Sequence, residues 1–237
     1  MNILAVDTSG PVAGVAVLSQ GQVVYEGAAV NRMTHSVNLM PMVEEALNRS
    51  GLGVEAVDLF AAVTGPGSFT GVRIGVSVVK GMAHGAEKPC IGIDALEALA
   101  AGMPTGNDWI CPIQDARAGQ VYGAAFTAGM PPVRRAENQA AKLPAFVEQI
   151  VGLCGPEAGI SFVGDGVAPC REELVRLLGA RARFLPAHLS FLRPASVAVL
   201  AEAYADRAVD YLALQPQYLR APQAERERAA RLQGQRP

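Results

Sequence analysis

One order of elements occurs twice in this chain, and that recurrence constrains its fold more than any single residue does. Ile3 to Val6 is a short apolar run cut off by Asp7, Thr8, Ser9, Gly10 and Pro11, and a second β-patterned run, Val12 to Leu18, follows it. Further on, Ile110 to Gln114 stops at Asp115, Ala116, Arg117, Ala118 and Gly119 before Val121 to Phe126. Leu59 to Val63 stops at Gly65, Pro66 and Gly67 before a helical stretch, and Ile160 to Val163 stops at Gly164, Asp165 and Gly166 before the helical stretch Arg171 to Leu178. Two acidic turns and two glycine turns in the same order imply an internal duplication, hence two α/β lobes facing one cleft.

The first unit is the clearer of the two. Gly21 and Gln22 turn the chain from the second run into Val23 to Gly27, which predicts a three-stranded antiparallel meander. Leu39, Met40, Val43, Ala46 and Leu47 then recur at helical spacing, with Ser36 expected as N-cap and Gly51 just past the end. Gly71 to Gly85 is helical in pattern despite four glycines, each costing about 1 kcal/mol in propensity. Gly71 and Gly75, and again Gly81 and Gly85, stand four apart, so a bare helix face open to a packing partner is expected. Cys90 to Ile93 and Ala95 to Ala101 supply the next strand and helix. Ala195 to Arg207 is expected to be a late helix, and Gln215 to Arg220 an extended segment returning to the first lobe. The domain reading is 1–104 for the first lobe, joined by 195–221, with 105–194 as a smaller second lobe and 222–237 as a charged, frayed or disordered tail.

Half of the 237 residues are apolar and 18% are charged, which excludes disorder for the body of the chain. The net charge of −2 offers no basic face for autonomous nucleic-acid binding. The start carries no secretory signal pattern, and the apolar stretch Val72 to Ala86 is too short and too charged for a membrane span, so a cytoplasmic protein is expected. Cys90, Cys111, Cys154 and Cys170 form no CxxC pair, and they read as buried small apolar residues. His35, His84 and His188 form no His-x-x-x-His pair, so no metal site is expected.

The four turns are the candidate chemistry. Strands ending in glycine or small polar turns can present backbone N–H groups to phosphate. Asp7, Thr8, Ser9, Gly65, Gly67, Ser68, Asp115, Gly164 and Gly166 are therefore the candidate nucleotide-phosphate residues. Familiar motifs are absent. Gly71 is followed by Val72 and Arg73 rather than by a P-loop lysine, and Thr70 stands where a dinucleotide fingerprint needs glycine. Pro66 and Thr70 flank Ser68 where a nucleophile elbow needs glycines. No catalytic residue is assigned.

The opening ILAVDTS, the segment THSVNLMPMVEEAL, TGPGSFTGVRIG followed by VVKGMA, GIDALEALA, QDARAGQVY and PQYLRAPQAE together resemble the TsaB (YeaZ-like) family of tRNA threonylcarbamoyladenosine biosynthesis proteins. The resemblance implies a duplicated ribonuclease-H-like fold of the actin-like ATPase (ASKHA) class, shared with the catalytic paralogue TsaD. It implies a non-catalytic partner subunit that dimerises with TsaD, helps recruit the ATPase TsaE and meets tRNA only through the complex, forming a homodimer when alone. It places Ala95 and Leu99 where the paralogue carries a His-x-x-x-His metal pair. The implied dimer surface comprises His35, Leu39, Met40, Val43, Leu47, Gly71, Val72, Gly75, Val78, Val79 and Met82. No cofactor is required for that role, although weak or vestigial ATP or ADP binding is compatible with it. The competing readings are a degenerate ATPase and a glycoprotease-like enzyme.

Overall fold

The computed structural model describes residues 1–30, 35–103 and 109–220. Two five-stranded mixed sheets form its frame. The first contains β1 (Asn2–Asp7), β2 (Ala13–Ser19), β3 (Gln22–Ala29), β4 (Leu59–Gly65) and β5 (Cys90–Asp94), ordered β3-β2-β1-β4-β5. The second contains β6 (Trp109–Asp115), β7 (Gln120–Thr127), β8 (Val133–Lys142), β9 (Ile160–Val163) and β10 (Ala182–Phe184), ordered β8-β7-β6-β9-β10. In each sheet the first three strands pair antiparallel and the last two join in parallel, so the duplication holds strand for strand.

The helices are α1 (His35–Ser50), α2 (Phe69–Ala86), α3 (Ala95–Ala101), α4 (Leu143–Cys154), α5 (Val167–Leu178) and α6 (Pro194–Ala203). Strand alternation sorts side chains to two faces. Ile3 and Ala5 of β1 and Leu59, Ala61 and Val63 of β4 enter a core with α3 and α6, whereas Leu4, Val6, Phe60 and Ala62 enter one with α1 and α2. The first of these cores also takes Ile110, Ala124, Phe126 and Val163 from the second sheet, so α3 and α6 form a layer shared by both lobes. A third core joins the second sheet to α4 and α5.

Several elements differ from the sequence reading. The α1 helix begins at His35, so Ser36 lies within its first turn and is not the cap. Gly51 does end it, at φ 65°. The α5 helix starts four residues before Arg171, and α6 stops at Ala203, followed by a separate 3₁₀ turn at Ala205–Arg207. Residues 215–220 pair with no strand, although they do return to the first lobe: Gln217 N–H donates to Thr64 O at 2.8 Å. The boundary placed at 104/105 and the tail 222–237 lie outside the described residues. No helix among the described residues is long and apolar enough to cross a membrane.

Candidate functional site

The ends of β1, β4, β6 and β9 converge where the two lobes meet. The symmetry extends to single hydrogen bonds: Asp7 Oδ1 accepts from Ser9 N–H and Asp115 Oδ1 from Arg117 N–H, each at 2.8 Å. A cleft of about 410 Å³ opens between the lobes, within the size range of small-molecule sites. Ser9, Gly67, Ser68 and Asp115 line it, joined by Phe69, Gln114, Arg117, Tyr122, Asp165 and residues 217–220. Asp7, Thr8, Gly65, Gly164 and Gly166 do not line it.

Several of the turn amides bond within the chain. Ser68 N–H donates to Ser9 O at 2.7 Å, Gly71 N–H to Ser68 Oγ at 3.2 Å, Ala116 N–H to Gln120 O at 3.0 Å and Gly166 N–H to Ile113 O at 3.1 Å. Thr8 Oγ donates to Gly71 O at 2.7 Å, so its hydroxyl is spent on packing α2 against the β1 turn. Gly65, Gly67 and Gly164 hold positive φ, and a Cβ there would lie 2.2 to 2.5 Å from a carbonyl oxygen of Gln217, Ser9 or Ile113. These glycines serve close contact of chain with chain rather than of chain with ligand. Groups at the cleft that could meet an anion include the start of α2, where the Phe69 and Thr70 amides have no intrahelical acceptor, and the Arg117 side chain.

Next to the cleft is a small, mostly apolar crevice into which Asp7, Gln114 and Asp165 also face. Asp7 is 2% exposed, and burial pushes its carboxyl up to about 6, against the Ser9 N–H that favours the anion and with Asp165 adding repulsion. Burial also raises the Asp165 carboxyl. Gln114 Oε1 and Asp165 Oδ1 are buried without a hydrogen-bond partner. Gln114, Phe69, Tyr122, Tyr218 and Arg220 were not candidates from sequence. The Gly164-Asp165-Gly166 turn was noticed, but Asp165 itself was not selected. No cluster of three or more histidine, cysteine or acidic side chains suited to a metal occurs among the described residues.

A family model described as TsaD, tRNA N6-adenosine threonylcarbamoyltransferase, matches residues 28–228. The tRNA threonylcarbamoyladenosine biosynthesis protein TsaB of Bacillus subtilis is 31% identical over 226 residues, covering 95% of this chain and 96% of that protein. The chain belongs to the TsaB (YeaZ-like) family. The TsaB likeness extends to three dimensions: YeaZ from Pseudomonas aeruginosa superposes with a TM-score of 0.76 at 26% identity, covering 92% of this chain and 99% of that one. The ROK hexokinase of Thermus thermophilus, at TM-score 0.50 and 12% identity over 87% of this chain and 100% of its own, shares the fold.

Within this TsaB chain the expected dimer residues divide into two groups. Leu39, Val43, Gly71, Val72, Gly75 and Val79 are buried within the chain. A Cβ at Gly71 would stand 2.0 Å from Thr8 O, and one at Gly75 2.7 Å from Thr8 Oγ1. The bare glycine face thus receives this chain's own β1 turn. Gly81 and Gly85 are exposed and touch nothing within 4 Å of a built Cβ. Met40 is 48% exposed, and His35, Leu47, Val78 and Met82 are half-buried. His35 is also tied to the cleft, its Nε2 donating to Gly10 O at 2.9 Å. Ala95 and Leu99 are buried in the shared core and carry no ligand atoms.

Proposed function

We infer that this chain is the non-catalytic partner subunit for threonylcarbamoyl transfer to the adenosine adjacent to the anticodon of tRNAs, acting in the cytoplasm. It dimerises with and stabilises the catalytic paralogue TsaD, and it helps recruit the ATPase TsaE. tRNA is engaged through the complex. The observation that carries this reading is the apolar surface kept on the outer helix pair, beside a cleft in which several turn amides bond within the chain. Val37 and Met40 on α1 are exposed, and Ile74, Val78 and Met82, spaced four apart on α2, are half-buried. Full-length likeness to a protein named for threonylcarbamoyladenosine biosynthesis supports the pathway. The same face would hold the homodimer when TsaD is absent.

No cofactor is required for this role, and what affinity the cleft retains for ATP or ADP is weak. The amides of Phe69 and Thr70 with Ser68 would hold the phosphates, and Asp7 and Asp165 could orient water around an accompanying cation.

The test is reconstitution with TsaD and TsaE on unmodified tRNA, comparing wild type with Met40→Asp and with Met40→Asp/Val78→Asp. Met40 is exposed whereas Val78 packs half-buried against the first-lobe core, so Met40→Asp alone should keep its melting temperature, and both variants should elute as monomers, fail to co-elute with TsaD and fail to support transfer. Threonylcarbamoyl transfer by the isolated chain, or a variant that still binds TsaD, would overturn the reading. Gly75→Leu, an obvious choice from sequence, is unsuitable because it strikes the Thr8 turn inside the chain.

A further inference from the structure

The chain after α6 is firmly rooted and loosely tipped. Its root joins β5 through reciprocal backbone bonds between Cys90 and Val209 at 2.9 and 2.8 Å. Leu214, 4% exposed, is then buried in the first lobe while Lys80 Nζ donates to its carbonyl at 3.1 Å. Beyond that point the path leaves the sheet and crosses the mouth of the cleft. Gln217 N–H is held by Thr64 O on the first lobe, and Arg220 Nη1 donates to Ala116 O on the second at 3.1 Å.

Between these anchors the Tyr218 ring stacks on Phe69, with centroids 4.9 Å apart. Phe69 is the first residue of α2, directly after the Ser68 cap, so the ring pair stands at a helix N-terminus that opens into the cleft. The tip nevertheless remains wet: Tyr218 is 43% and Leu219 39% exposed, and Arg220 meets a neutral carbonyl there. Residues 217–220, partly solvated and with one hydrogen bond to the opposite lobe among the described residues, can lift without disturbing the core.

We propose that residues 217–220 are a strap that closes the inter-lobe cleft of the free chain and competes with a phosphate-bearing ligand for the start of α2. This rests on the reading that the cleft retains weak nucleotide affinity, and it gives a reason for the weakness: the ligand must first displace Tyr218 and Arg220, whose populations of closed and lifted states scale the apparent affinity. The strap is the chain's own gate to its cleft.

The experiment uses the full chain as wild type, Tyr218→Ala/Arg220→Gln, and Tyr218→Phe as a control that keeps the ring stack. Binding of magnesium ADP and ATP is measured by calorimetry, and hydrogen exchange is followed in peptides covering 65–72 and 115–122. The double variant should bind ADP at least about tenfold more tightly and exchange faster in both peptides, with Tyr218→Phe behaving as wild type. Nucleotide binding that is unchanged or weaker in the double variant would overturn the strap, because its side chains would then be neutral to the ligand or part of its site. Unchanged exchange would overturn it as well. Faster exchange with no nucleotide bound to any of the three proteins would sink the nucleotide reading and leave the strap as the closing element.

Discussion

The buried Asp7 carboxylate contributes a pH response at the lobe junction, beside Asp165, which burial also raises. Asp7 sits at 2% exposure, and its folded-state value of about 6 lies above the 3.8 of an ordinary aspartate. The folded state therefore binds the proton more tightly than the unfolded chain, so this group costs nothing below about pH 4 and progressively destabilises the fold as pH rises towards 6. Asp7→Asn keeps an oxygen to accept the Ser9 N–H and removes the charge. It should raise stability by about 1–3 kcal/mol at pH 7.5, a few degrees in melting temperature, and the gain should vanish near pH 4. A variant less stable than wild type at pH 7.5 would mean that an unseen cation or donor already compensates the carboxylate. Asp7 was legible in the sequence as the residue ending a strand in a polar turn. Its companions Gln114 and Asp165 were not selected, because what pairs them is the approach of two strand ends from different lobes, and no local spacing encodes that.

At the scale of elements, α2 shows how one pattern can carry two meanings. Gly71 and Gly75 admit the Thr8 turn, whereas Gly81 and Gly85 face open space. Gly71→Ala should cost about 2–4 kcal/mol through overpacking against backbone, and Gly81→Ala should gain about 0.5–1 kcal/mol from helix propensity, both read from urea denaturation. If Gly81→Ala instead destabilised the chain or blocked association with TsaD, that glycine would be an interface residue after all. The four-residue spacing identified a bare face, but which pair met backbone depended on where β1 ends. The strands β8 and β10 and the helix α4 went unread for different reasons. The β8 sequence VRRAENQAAK is a polar edge with little alternation, and β10 has three residues that pair only because β9 lies beside them. The signal for α4 was present in Leu143–Cys154, with proline in its first turn, and it would have completed the second unit.

Across the whole molecule the lobes are joined by more than the α3 and α6 layer. Asp94 caps α3 by accepting from Glu97 N–H at 2.8 Å, and it also accepts from Asn138 Nδ2 of β8. Arg134 of β8 lies 3.6 Å from Asp94 and 3.9 Å from Glu97, and its guanidinium covers the Phe126 ring at 4.6 Å. Tyr204 closes the network by donating to Glu97 at 2.6 Å. Because Asp94 and Arg134 are largely buried, Arg134→Met should cost about 2 kcal/mol by removing the guanidinium that faces two acids, which keep only their neutral donors. Asp94→Asn in that background should recover part of the loss, giving a coupling of about 1 kcal/mol in a double-mutant cycle. Additive effects would show that the latch contributes no joint stability. With this latch on one side and the strap on the other, each lobe is held to its neighbour at two places besides the shared core.

The sequence alone determined the duplicated order of strands, the four turns that end them and the family to which the chain belongs, because period-two burial, glycine punctuation and motif spacing are local properties of a chain. Tertiary structure decided which turn amides were already used, which glycines met backbone, which apolar residues were left outside and where the segment after α6 came to rest. Those outcomes follow from the docking of one lobe on the other, where hydrogen bonds and close contacts form between residues far apart in sequence.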